Sequence, residues 1–254
     1  STGMNNRAII NRIKSGNQTP VELNFQNFRK KENFIAFIAK NLELDSGAFA
    51  RVLDSVPLLE AHGFTKDNSY TMFLPNKYEL YWNITPMEFF NKMHGEYQKF
   101  WTENRKQKAA ALKLTTQQVG VLASIVDAEA LFDKEMPTIA GLYLNRLNRG
   151  IRLEADPTVI FANNDFTVKR VTGPLLRKDS KYNTYRNAGL PPGPIMMPSL
   201  SALNAVLNRE EHNYIFMCAK EDFSGYHRFA ETVAEHNINA KKFRDELNKR
   251  KIFR

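Results

Sequence analysis

Thr115-Thr116-Gln117-Gln118-Val119-Gly120-Val121-Leu122-Ala123-Ser124-Ile125-Val126-Asp127-Ala128-Glu129 begins with a capping box and runs on as the most apolar stretch of the chain. The Thr115 hydroxyl and the Gln118 side chain can each satisfy a backbone N–H that the first turn of a helix leaves without a partner. A helix from Gln117 to about Leu131 follows, with Leu122, Ile125, Val126 and Glu129 on one face. That pattern puts a carboxylate on an apolar stripe. Desolvation favours its neutral form, so its pKa rises and it can donate a proton near neutral pH. The pattern also fits a glutamate at the edge of the stripe or one paired with a base. Asp127, about 200° around the helix from Glu129, points elsewhere.

Working outward, Pro137 to Arg149 reads as a helix stopped at Gly150, Ser199 to Leu207 as another, and the Ala230 to Arg250 region as a last, basic one. Upstream, Thr85-Pro86-Met87-Glu88 starts a helix with proline at its first position, carried on by Phe89, Phe90, Met93, Tyr97, Phe100 and Trp101. A polar run, Glu103 to Lys108, separates it from the central helix. Before it, Val21 to Phe25 alternates as a strand does, Phe34, Ile35, Phe37, Ile38 and Leu42 recur at helical spacing, and Ser46 to Leu53 forms a second short helix. After the turn-rich Gly63 to Asn68, Tyr70 to Trp82 returns to strand-like sequence broken by Pro75. The expected fold class is α+β. A strand–helix–helix–strand unit occupies 1–84, with 1–20 as the tail of a preceding segment, and a mainly helical domain with short strands occupies 85–254.

The 254 residues carry 36 Lys and Arg against 27 Asp and Glu, a formal +9. Such a charge attracts nucleic acid, an anionic membrane surface or anionic cell wall, or is simply a solvated face. One cysteine, Cys218, excludes an internal disulfide and any cysteine-cluster metal site, and fits cytoplasm or periplasm alike. Val119 to Phe132 is shorter than the roughly 18 residues a membrane span needs. The Ser1-Thr2-Gly3-Met4 start has no apolar signal core and reads as a chain entered midway.

Ordinary glycoside hydrolysis needs two carboxyl groups, and Asp133, Glu154 and Asp156 stand as possible second acids beside Glu129. Asp156-Pro157-Thr158 also reads as a turn or helix cap. Gly189-Leu190-Pro191-Pro192-Gly193-Pro194-Ile195 is too rich in proline to supply a row of phosphate-binding amides. Preceded by Tyr182-Asn183-Thr184-Tyr185, this stiff loop suits a sugar or a structural turn, and the sugar reading places it in the groove beside Glu129. His227 with Phe229, and His236 with Asn237, lack metal-ligand spacing and default to structural histidines. The basic run from Lys241 to Lys251 could track phosphates, but with no nucleic-acid module in the chain it reads better as a solvated helix face.

These blocks resemble the endolytic murein transglycosylases, the YceG-like family. The likeness runs through Leu122 to Ala130, Leu144 to Leu147, Arg152 to Ile160, Tyr182 to Tyr185, Gly189 to Ile195, His227-Arg228-Phe229 and Glu235-His236-Asn237. Upstream, Phe73 to Tyr78 resembles a segment that closes a LysM-like unit, so the resemblance implies a LysM-like N-terminal domain and a lysozyme-like catalytic domain. It implies that Glu129 is the single catalytic glutamate and that Asp127 is replaceable. It further implies a glycan-binding set of Asn145, Arg146, Asp156, Thr158, Tyr182, Asn183, Thr184, Tyr185, Leu190, Pro191, Pro192, Gly193, His227, Phe229, His236 and Asn237. Glu154 and Ala155 depart from the family's usual Gln and Thr. The implied reaction has one acid protonate the bridging oxygen after N-acetylmuramic acid and then, as carboxylate, draw the proton from that sugar's own 6-hydroxyl, leaving a 1,6-anhydro end. No metal or cofactor is implied. The implied partners are peptidoglycan glycan strands and cell-wall synthesis proteins, not nucleic acid. The implied location is the periplasmic face of the bacterial inner membrane, held by a single-pass anchor upstream of this chain. A muramidase-type hydrolase at the same site and a non-catalytic glycan-binding module are the alternatives.

Overall fold

The computed structural model describes residue 3 and residues 5–16, 18–168 and 171–250. An opening helix, α1 (Asn6–Lys14), falls in the segment expected to be a tail, capped by the Asn5 carboxamide oxygen, which accepts from the Ala8 amide. Strand β1 (Val21–Asn24) pairs antiparallel with β2 (Lys77–Leu80), Leu23 opposite Tyr78, and helices α2 (Lys31–Asn41) and α3 (Ser46–Leu53) pack beneath them. Strand, helices and strand follow in the predicted order. A third short helix, α4 (Val56–Ala61), and a 3-10 turn at Ser69–Met72 intervene, so the Tyr70 to Trp82 strand contracts to the four residues beyond Pro75.

Helix α5 (Pro86–Phe100) starts at the predicted proline, and Thr85 and Glu88 form a full capping box there. The polar run becomes a helix as well, α6 (Glu103–Ala111), because the Thr102 hydroxyl caps it and only its Ala109 side needs burial. Then come α7 (Thr116–Glu129), α8 (Met136–Asn148), α9 (Asp156–Asn163), the single turn α10 (Gly173–Leu176) and α11 (Leu200–Leu207). Strands β3 (Phe216–Ala219) and β4 (His227–Ala230) pair antiparallel, and α12 (Val233–Lys249) lies against them.

The predicted capping box of α7 forms as read. Its apolar side, however, is no stripe: every residue from Val119 to Val126 is buried, which makes α7 the central helix of the molecule. It packs against α8 and α11 on one side and against the 3-10 turn on another. A Cβ at Gly120 would come within 2.8 Å of the Thr71 side chain, so glycine lets the helix approach that turn. The hydrophobic core accordingly runs unbroken from Leu23 to Leu207. Phe89 of α5 sits 5.1 Å from the Phe49 ring and 6.3 Å from Phe34, so α5 packs on the N-terminal unit although it follows the boundary read from the sequence. Hydrogen bonds from Gln117 Nε2 to the Gly63 carbonyl and from the Met197 amide to the Phe28 carbonyl add to the join. No single helix among the described residues is long and apolar enough to cross a membrane.

Candidate active site

Glu129 is the last residue of α7, where the buried helix emerges into a cleft of about 280 Å³. Helices α8 and α9 and the Tyr185 segment form one wall, and β3, His227 and His236 form the other. Tyr143, buried on α8, donates its hydroxyl hydrogen to Glu129 Oε1 at 2.8 Å. Burial is the largest influence on the Glu129 carboxyl, and the negative charge of Asp156 adds to it. The Tyr143 hydrogen bond opposes both, and the balance puts the pKa at about 7. The carbonyl end of the α7 dipole also disfavours an anion here. Burial and the adjacent Glu129 charge hold Tyr143 well above the usual phenol range, so it stays a hydrogen-bond donor. A half-buried acid that is part protonated near neutrality, with a fixed donor on one oxygen, can give up a proton and take one back.

Asp156 opens α9 and accepts 2.7 Å from the Tyr185 hydroxyl across the cleft wall. A buried network holds both residues. The Ala155 amide donates to Thr184 Oγ1, the Thr158 and Thr184 hydroxyls lie 2.8 Å apart, and Asn183 Nδ2 donates to the Leu176 and Lys178 carbonyls. Thr158, Asn183 and Thr184 are therefore buried struts behind the wall. Glu154 sits at φ +52°, a conformation costly for a residue with a side chain, and forms an ion pair with Arg146.

The Arg146 guanidinium faces the cleft but is fully engaged. Besides Glu154, it donates to the Arg152 and Ile215 carbonyls and lies over the Phe216 ring, tying β3 to α8. Asn145 donates to the His212 and Tyr214 carbonyls and does not line the cleft. His227 lines it, with Nδ1 2.8 Å from the buried Glu135 carboxylate, which also accepts from the His227 backbone amide. His236 stacks on Phe216. Phe229 stacks instead on Tyr214 in a separate shallow groove, and Asn237 is exposed on α12.

The proline-rich loop lies elsewhere. Leu190, Pro191 and Pro192 line a groove of about 700 Å³ with Gln117 and Gln118, at the opposite end of α7 from Glu129. The 11 residue steps from Gln118 to Glu129 span roughly 16 Å of helix. At Gly193 a Cβ would stand 1.9 Å from the Asp67 carbonyl oxygen, so the loop is pressed onto the N-terminal unit. Tyr182 faces away from Tyr185 into a third cleft. The sequence thus leads to Glu129, Arg146, Asp156, Tyr185, His227 and His236 around one cavity and leaves the rest as supports or on other surfaces. It did not lead to Tyr143 or Glu135. A tyrosine inside an apolar helix needs a partner for its hydroxyl, and that was the available signal for Tyr143.

Asp127 points away from Glu129, as its helix position predicts. Its Oδ2 accepts from the Ser199 amide at 2.7 Å and thereby fixes the start of α11. Among the described residues no group of three His, Cys, Asp or Glu is arranged to hold a metal ion.

A model of the YceG-like family matches residues 1–242. The chain belongs to the YceG-like family. It is 34% identical over 149 residues, 59% of its length, to the endolytic murein transglycosylase of Bacillus subtilis strain 168. It is 29% identical over 130 residues, 50% of its length, to the endolytic murein transglycosylase of Streptococcus pneumoniae strain D39. The aligned regions take in 39% and 23% of those two proteins' own lengths. The crystal structure of a yceG-like protein from Listeria monocytogenes superposes with a TM-score of 0.70 over 94% of this chain and 82% of that one, at 23% identity, so the fold is shared.

Proposed function

We propose that this YceG-like chain is a peptidoglycan lytic transglycosylase that cuts within glycan strands, with Glu129 as its one acid and base. The observation that carries the reading is a carboxyl at about pKa 7 on a cleft wall, hydrogen-bonded by Tyr143. As the acid it protonates the oxygen that leaves C1 of N-acetylmuramic acid, and the C1–O bond breaks. As the carboxylate it takes the proton of the same sugar's 6-hydroxyl while O6 bonds to C1, which closes the 1,6-anhydro ring. Tyr143 stabilises the carboxylate between the two transfers, and Asp156, held by Tyr185, faces the positive charge that develops at C1. The N-terminal unit, in the LysM-like role that the family resemblance suggests, grips the strand. By the same resemblance the domains face the periplasm from an anchor upstream, which cell fractionation would check.

Mass spectrometry of digested glycan tests the reaction. Product ends lighter by one water than reducing ends are expected, and reducing ends alone would refute it. The presence of Asp156 in the same cleft favours one second reading, a hydrolase in which that carboxylate activates water. The same spectra decide between them.

A further inference from the structure

A cleft of about 740 Å³ lies where the N-terminal unit meets the loop after α9. Four cations, Arg29, Lys30, Lys31 and Lys66, line it against two carboxylates, Glu32 and Asp67. Asp54 pairs with Lys31 at 2.6 Å and lies 3.7 Å from Lys66. Among the described residues no carboxylate lies within ion-pair distance of Arg29 or Lys30. Their charges rest instead over the Phe166 ring, at 5.1 and 5.0 Å from its centre. Phe161 and Tyr182, 4.8 Å apart, add aromatic faces to the floor.

This cleft and the catalytic one have no lining residue in common, but the same two segments contribute to both. Tyr182 lines the basic cleft and Tyr185 the catalytic one, three residues and at most about 10 Å of chain apart. Likewise Asp156 stands in the catalytic cleft and Phe161, farther along α9, in the basic one. The basic cleft thus lies across α9 and the Tyr182 segment from the catalytic one, and offers a long strand two cations with no ion-pair partner among the described residues, beside apolar ring faces.

We propose that the cleft binds the carboxylates of the peptide stem carried by a muramoyl residue near the one being cut, so that the enzyme selects stem-bearing glycan. The inference rests on the glycan-cutting reading of the Glu129 cleft and adds a second contact for the same substrate. Arg29 pairs with a carboxylate, Lys30 supplies a second charge, and Phe166 holds both cations in place when the site is empty.

The test uses the full chain with Glu129→Gln, so that binding is read without cleavage. Its affinity is measured by calorimetry for glycan chains of equal length, either stem-bearing or stripped of stems by an amidase. Stem-bearing chains are expected to bind about tenfold tighter or more, with the gap closing as salt rises. Adding Arg29→Gln and Lys30→Gln should shrink the gap to about twofold and leave the affinity for stripped chains unchanged. Arg29→Lys alone should keep most of it. No preference in the parent protein, or a preference that survives the double substitution, overturns the proposal, as does an equal loss for both chains. Circular dichroism of the double variant shows whether the fold is intact. Anhydro ends are scored separately on the protein with Glu129 restored, so failure of the catalytic reading and failure of the stem site give different results.

Discussion

Replacing Glu129 with glutamine should stabilise the protein at high pH and not at low pH. The carboxyl titrates at about 7 in the folded chain against an ordinary 4.5. Below pH 4.5 it is protonated in both states, and folding carries no penalty. Between 4.5 and 7 the unfolded chain ionises first, so stability falls as pH rises, and above 7 the folded chain holds an unfavourable carboxylate. The difference of 2.5 pH units corresponds to about 3.4 kcal/mol at about 1.36 kcal/mol each. Because Glu129 is half-buried and water reaches the cleft, screening lowers the expected gain to roughly 1–3 kcal/mol. Glutamine keeps an acceptor for Tyr143 and loses the charge, so little else changes at the site. Urea unfolding of parent and variant at pH 4.5 and pH 8 measures this. A gain confined to pH 8, together with loss of cleavage at every pH, is expected. An equal effect at both pH values, or a variant less stable at pH 8, would refute the strained-acid account of Glu129.

The other predictions concern its neighbours and the core. Tyr143→Phe removes a hydrogen bond that favours the carboxylate, so the alkaline limb of kcat/KM should move up by roughly 1–2 pH units; a limb that stays put would detach Tyr143 from the proton transfers. Asp156→Asn removes a like charge, so that limb should move down, and activity at pH 5 should fall far less than in Glu129→Gln. An equal loss would instead favour the two-carboxylate hydrolase. Asp127→Asn should keep activity within about tenfold, because its oxygen can still accept from Ser199 and it faces away from the cleft. A fragment beginning at Thr85, close to the domain boundary read from the sequence, should lack a cooperative thermal transition by circular dichroism, since Phe89 and Phe90 would lose the rings they pack on.

The contrast between that fragment and Glu129 shows which kind of information the sequence carries openly. Local signals were legible: the Thr115–Gln118 capping box formed as read, and the helix start read from Pro86 stands where expected, with a Thr85–Glu88 box added to it. Placement of loops was not. Gly189 to Ile195 is recognisably stiff, but where it lies depends on Gly193 meeting the Asp67 carbonyl and on the Ile195 amide meeting Ser124, partners 126 and 71 positions away. Nothing in the spacing of prolines encodes such partners. The catalytic candidate was legible for the opposite reason, because a carboxylate closing an apolar helix is costly wherever that helix packs. What the sequence withheld is how the cost is moderated. Tyr143 approaches from another helix, and Asp156 is set in place by a buried threonine pair that no periodicity announces. A site of this kind is foreseeable at the residue that bears the strain, and its supporting residues become visible only once the chain brings the helices together.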